Sequence, residues 1–170
     1  MFLSLRELEL GPIRFSESVA PGVIAWTPNI SQTGPLQATG QATLDPLTQE
    51  IRFSGHLAVG LQLECDRCLA PIAQAVDTAI DLAYEPLPEA VPGQELELHD
   101  ADIDLGFYEG DGMELTDVLR EQVLLDLPSR TLCSAECKGL CPVCGVNRNE
   151  QTCACTTRIP DERWAALRQL

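Results

Sequence analysis

The stretch IRFSGHLAVGLQLECDRCLAPIAQAVDTAIDLAY, Ile51 to Tyr84, decides the fold. Ile51, Phe53 and Gly55 alternate with Arg52, Ser54 and His56. Leu57, Val59, Leu61 and Leu63 continue the first face, and Ala58, Gly60, Gln62 and Glu64 the second. Successive side chains of a strand point to opposite faces, so strict period-two patterning predicts a half-buried strand. Cys65-Asp66-Arg67-Cys68 interrupts the pattern, and alternation resumes from Ile72 to Tyr84 (Ala73/Gln74, Val76/Asp77, Ile80/Asp81). Two strands joined at a CxxC turn is the simplest expectation.

Upstream, Leu36 to Leu44 reads as a further strand, and Asp45-Pro46 with Thr48-Gln49 supplies the turn into Ile51. The three strands predict an antiparallel meander. Met1 to Pro35 is interrupted by Pro12, Pro21, Pro28 and Pro35, which favours short strands and turns over long helices. Downstream, Glu85 to Gly112 carries Pro86, Pro88 and Pro92 among many acids, and is expected to be an extended, partly disordered connection. Leu115, Val118, Leu119, Val123 and Leu127 then recur at helical steps, so Glu114 to Leu127 predicts the main helix, with Asp117, Arg120 and Glu121 facing away and Pro128 as the stop. Trp164, Leu167 and Leu170 form one stripe of a short terminal helix, Asp161 to Leu170. The expected fold class is α+β: an antiparallel β-sheet meander packed with one main helix, plus a C-terminal cysteine-rich zinc-binding segment. The expected division is residues 1–128, with the acidic connection around 85–112, and residues 129–170.

The 170 residues are 45% hydrophobic but only 5% aromatic, so one core must be built mainly from Leu, Val, Ile and Ala. Net charge is −15, from 26 acids and 11 bases, which opposes broad unassisted binding to a phosphate backbone. The charge is uneven. Asp81 to Glu121 holds 13 acids and one base, whereas Pro128 to Leu170 holds six bases and four acids. Limited nucleic-acid contact would come from the tail, and the acidic stretch suits either solvent or a basic partner. Arg6, Glu7 and Glu9 fall where the apolar run of a secretory signal would lie, and no window approaches a membrane span. A cytoplasmic protein without membrane contact is expected, and its eight cysteines are then reduced thiols or metal ligands rather than disulfides.

The tail reads Cys133-x3-Cys137-x3-Cys141-x2-Cys144-x8-Cys153-x-Cys155. A CxxC turn points both sulfurs at one centre, and Cys141-Pro142-Val143-Cys144-Gly145 has a Pro to fix the entry and a Gly to relieve the backbone after the second ligand. Six cysteines within 23 residues overdetermine one tetrahedral site. The preferred set is Cys137, Cys141, Cys144 and Cys155, with Cys133 and Cys153 as close competitors. A third arrangement uses all eight, with Cys65 and Cys68 completing a second site. Packed or free thiols are the alternative, stronger for Cys65 and Cys68 than for the tail, where they would be an oxidation liability. A redox dithiol wants a helix N-terminus, and Gly145, Asn147 and Asn149 suit a loop better. His56 and His99 read as ordinary strand and loop residues, Asp102 and Asp104 as solvated acids. With no phosphate loop, nucleophile elbow or H-E-x-x-H, and with a filled structural zinc tetrahedron, the chain is expected not to be an enzyme.

The run Cys137 to Glu150 followed by Cys153-Ala154-Cys155 resembles the tail of the bacterial YceD-like family, named for large ribosomal RNA subunit accumulation. Cys65-Asp66-Arg67-Cys68-Leu69-Ala70-Pro71 is similar to its central motif, Leu115 to Pro128 to its helix, and Asp161 to Leu170 to its closing segment, so the likeness covers about Ile51 to Leu170. Arg148, where Leu is expected, and the order Ile159-Pro160-Asp161-Glu162-Arg163 depart from the pattern without touching a cysteine. The resemblance implies a non-enzymatic factor in the synthesis, processing or stability of 23S ribosomal RNA and in large-subunit assembly. The implied partner is a ribosomal protein or rRNA assembly intermediate. Arg130, Lys138, Arg148 and Arg158 would make any limited RNA contact. A zinc-stabilised adaptor unrelated to ribosomes and a thiol redox or metal-transfer protein are the competing classes.

Overall fold

The computed structural model describes residues 1–88 and 105–155. Its first elements are β1 (Phe2–Ser4), α1 (Leu5–Glu9), β2 (Ile13–Val19), β3 (Ile30–Gln32) and β4 (Leu36–Leu44). There follow β5 (Ile51–Glu64), β6 (Pro71–Pro86), β7 (Leu105–Tyr108), β8 (Gly112–Glu114) and α2 (Leu115–Asp126). The fold is mixed, with many strands and few helices. Two units emerge along the chain: Met1–Gln62 with Ala73–Pro128, and Leu63–Ile72 with Ser129–Leu170. Residues 63–72, expected to belong with the meander, thus group with the tail.

The main sheet runs β2-β4-β5-β6-β7, with β3 also pairing β5. β2 and β5 each lie antiparallel to β4, with Phe15 opposite Gly40 and Ala42 opposite Phe53. The alternation of β5 is realised at its larger side chains: Ile51, Phe53, Leu57, Val59, Leu61 and Leu63 are buried and Arg52, His56, Gln62 and Glu64 exposed, while Ser54, Gly55, Ala58 and Gly60 are half-buried. The β4–β5 turn is held by Asp45, whose Oδ1 accepts from the Leu47 amide at 2.8 Å, and Gln49 takes a left-handed φ of 61°. Phe53 packs edge-on against Tyr84, ring centroids 5.8 Å apart.

Two pairings were not expected. β7 falls inside the stretch Glu85 to Gly112, expected to be an extended connection, and lies parallel to the end of β6, Ala83 opposite Leu105. Most of that connection (89–104) and the expected helix from Asp161 to Leu170 lie outside the described residues. The N-terminal strand β1 forms a second small sheet with β8, and Ser4 caps α1 through a reciprocal box with Glu7.

Helix α2 buries Leu115, Val118, Leu119 and Val123. Glu114 makes no side-chain cap, and the Leu115 amide is satisfied by the Met1 carbonyl at 2.9 Å. Leu127 turns extended ahead of Pro128, as the proline ring demands of the residue before it. Arg120 and Glu121 lie off the buried face of the helix, as expected, yet each finds a partner. Arg120 Nε donates to the Ala25 carbonyl at 2.8 Å, and the Tyr84 hydroxyl donates to Glu121 at 2.8 Å. No helix among the described residues is long and apolar enough to cross a membrane.

Candidate metal centres

The turn after β5 is short and tightly bonded. The Leu69 amide donates to the Cys65 carbonyl and the Cys65 amide to the Ala70 carbonyl, each at 2.9 Å. Leu69 adopts φ 60°, so the chain reverses with both sulfurs on its inner side. The same pattern recurs in the tail. The Gly145 amide donates to the Cys141 carbonyl and the Cys141 amide to the Val146 carbonyl, each at 2.8 Å, with Gly145 at φ 73°. Residues 65–70 and 141–146 are therefore two copies of one knuckle, and each leaves its paired sulfurs convergent.

The second unit gathers eight sulfurs into two groups of four. Cys65, Cys68, Cys133 and Cys137 form one, and Cys141, Cys144, Cys153 and Cys155 the other, with all ligand atoms of a group within 4.8 Å of one another. The first group is stitched together from distant sequence. The Asp66 amide donates to the Thr131 carbonyl at 2.9 Å, the Thr131 amide to Asp66 Oδ2 at 2.6 Å, and Arg67 Nη1 to the Cys137 carbonyl at 2.7 Å. Cys65, Cys68 and Cys137 are buried, with Ala70, Ile72, Leu132 and Leu140 packed against them. In the second group only Cys141 is buried, and Cys144 is exposed.

Amide hydrogens aim at these sulfurs. The Cys133 amide donates to Cys65 Sγ at 3.4 Å, and Asn149 Nδ2 to Cys137 Sγ at 3.3 Å. The Cys133 amide is the main cause that draws the Cys65 thiol down to about 6, against the effect of burial. Amides of Cys144 and Val143 bring Cys141 to about 6, and Asn149 lowers Cys137. Other sulfurs are resisted: the Cys137 and Cys68 side chains push Cys133 up to about 12, and Cys144 pushes Cys155 up to about 12. Each group thus favours the thiolate at some of its sulfurs and opposes it at others. A bound cation removes that conflict, because a coordinating thiol gives up its proton.

The geometry fits a tetrahedral ion. Cys65 Sγ lies 3.8 Å from Cys137 Sγ, and Cys68 Sγ 3.6 Å from Cys133 Sγ. Four sulfurs at about 2.3 Å from one metal stand about 3.8 Å apart. A disulfide requires about 2.05 Å, and none is formed among the eight. Both groups can therefore hold a metal ion, and all-sulfur donors suit a soft or borderline cation.

The set Cys137, Cys141, Cys144 and Cys155 is not brought together as one cluster. Cys137 sits with Cys133 and the β5–β6 turn, and Cys153 takes the fourth place beside Cys141, Cys144 and Cys155. The arrangement matches the all-cysteine alternative. Cys65 and Cys68 are the residues local pattern underrated. The signal was the left-handed position one step past the second cysteine, which Gly145 advertises and Leu69 conceals. His56 pairs with Asp77 at 2.7 Å on an exposed face and belongs to neither sulfur cluster. His99, Asp102 and Asp104 lie outside the described residues.

Comparison with known proteins bears on the same region. The chain is 27% identical over 131 residues to the uncharacterized proteins Mb2951c of Mycobacterium bovis and Rv2926c of Mycobacterium tuberculosis, an alignment covering 73% of this chain. It spans 57% of the length of those relatives. No solved structure matches it. Residues 53–170, from early β5 through both sulfur clusters, match the family described as large ribosomal RNA subunit accumulation protein YceD, and the chain belongs to that family.

Proposed function

We propose that this chain is a non-enzymatic factor that promotes accumulation of 23S ribosomal RNA and assembly of the large ribosomal subunit, with zinc as the structural ion in both sulfur clusters. The family match over residues 53–170 carries the functional part. The all-thiolate donor sets support zinc, which favours closed tetrahedral sites of this kind and leaves no position open for substrate.

Charge supports an indirect contact with RNA. The unit Met1–Gln62 with Ala73–Pro128 holds 20 acids and four bases, or −16, and the second unit seven bases and six acids, or +1. A divalent ion with four thiolates adds a further −2 per cluster, so loading makes the second unit net acidic. Such a chain repels a phosphate backbone and attracts a basic protein. The proposed partner is therefore a basic ribosomal protein within a large-subunit precursor, with Arg130, Lys138, Arg148 and Arg158 limited to local RNA contacts.

The test is depletion of the chain in growing cells, with pulse-labelled 23S and 16S RNA quantified. A fall in 23S relative to 16S, restored by the wild-type chain and by no unrelated zinc protein, is expected. An unchanged ratio overturns the functional reading. Tight binding of purified chain to large-subunit RNA at physiological salt, without a protein partner, overturns the proposed division of labour.

A further inference from the structure

The two sulfur clusters share no ligand, yet one segment serves both. Cys137 closes the first and Cys141 opens the second, with only Lys138, Gly139 and Leu140 between them. The Leu140 amide donates to the Arg67 carbonyl at 2.9 Å, joining the residue before Cys141 to the residue before Cys68. Gly139, at φ 71°, makes this approach possible, since a Cβ there would stand 2.9 Å from the Arg67 oxygen. Asn149 completes the link. It lies on the loop between Cys144 and Cys153, and its Nδ2 donates to Cys137 Sγ at 3.3 Å while its Oδ1 accepts from the Lys138 amide at 2.8 Å. Asn147 Oδ1 anchors it through its amide at 3.1 Å and its Nδ2 at 2.9 Å.

We infer that the clusters bind two thiophilic divalent ions of the zinc class cooperatively, and that Asn149 is the positioning residue that couples them. A metal in the second cluster fixes both ends of the Cys144–Cys153 loop, so Asn149 presents its N–H to Cys137 with less entropy left to lose. That hydrogen bond draws charge from a thiolate of the first cluster, and outer partners of this kind tune metal affinity. Coupling is reciprocal, so filling the first cluster tightens the second by the same factor. Repulsion between two anionic centres acts against this, and the net coupling is what the titration reads. The inference goes beyond the ribosomal role and rests on the clusters being metal sites.

The experiment titrates the demetallated full chain with zinc against a chromophoric chelator, and in parallel with cobalt(II), whose thiolate charge-transfer absorption reports each site. Wild type should take two ions per chain. Cys153→Ser with Cys155→Ser should retain one ion, held about tenfold more weakly in the first cluster, equivalent to about 1.4 kcal/mol. Asn149→Ala keeps all eight ligands. It should still bind two ions, lose the coupling, and move the charge-transfer band of the first centre to lower energy. Two ions bound independently in wild type, or an Asn149→Ala chain with unchanged affinities and spectrum, overturns the inference while leaving the metal reading intact. Absence of tightly bound metal overturns both.

Discussion

Leu69 and Gly145 occupy the same place in two copies of one knuckle: each follows the second cysteine of a CxxC, donates its amide to the carbonyl of the first, and holds a left-handed φ, 60° and 73°. Glycine adopts that conformation freely, whereas an L side chain there costs roughly 1–2 kcal/mol. Leu69 is 57% exposed, so little packing offsets the strain.

Leu69→Gly should therefore stabilise the metal-loaded protein, by about 1 kcal/mol once the greater freedom of glycine in the unfolded chain is subtracted. Denaturant melts of the two proteins check this. A loss of stability would show that the Leu69 side chain contributes more than its exposure indicates.

Native protein should contain two metal equivalents and expose no titratable thiol to a thiol reagent, whereas the chelated protein should expose all eight. Cys65→Ser should lose one equivalent and loosen the tail, because bound structural zinc contributes on the order of 10 kcal/mol or more to folding. Elemental analysis with thiol titration is the measurement. One equivalent in wild type would contradict the two-cluster geometry.

Alkaline titration provides an internal reporter. The chain has two tyrosines, and both phenols are held above their usual range. Burial is the main cause at Tyr84, with Glu121 adding to it, and burial alone acts at Tyr108. A raised phenol keeps its proton in the folded state while the unfolded chain ionises near 10, so stability falls as pH rises above about 10. Tyrosinate absorbance should thus rise together with loss of structure by circular dichroism. Absorbance that rises while the fold persists would place these hydroxyls in water.

Phe53 is fully buried and packs on Tyr84. Phe53→Ala should cost about 3–5 kcal/mol, a large share of the stability of a domain this size. Thermal melts will show it. A change under about 1 kcal/mol would mean that the sheet tolerates a cavity there.

The legible parts of this fold were the local ones. The period of β5, the Asp45 turn and the apolar stripe of α2 are each written within 14 or fewer neighbouring residues. The parallel pairing of β7 with β6 depends on a partner some twenty positions away, and nothing in Leu105–Tyr108 announces it. Helical periodicity placed Arg120 and Glu121 off the buried face but does not show that Ala25 and Tyr84 offer them partners. The sulfur clusters divide the same way. CxxC spacing shows that two sulfurs converge, but Cys65 and Cys68 meet Cys133 and Cys137 through long-range bonds such as Asp66–Thr131 and Arg67–Cys137, which have no sequence signature.

The long span between those ligands has a consequence in time. Cys65 and Cys68 leave the translating ribosome before their partners have been made. Some 65 residues separate Cys68 from Cys133, so at about 5–20 residues per second the first pair waits roughly 3–13 seconds as a half-site. During biosynthesis this interval is when the wrong metal or an oxidant can capture the pair, and metal supply to the nascent chain becomes part of how the protein matures.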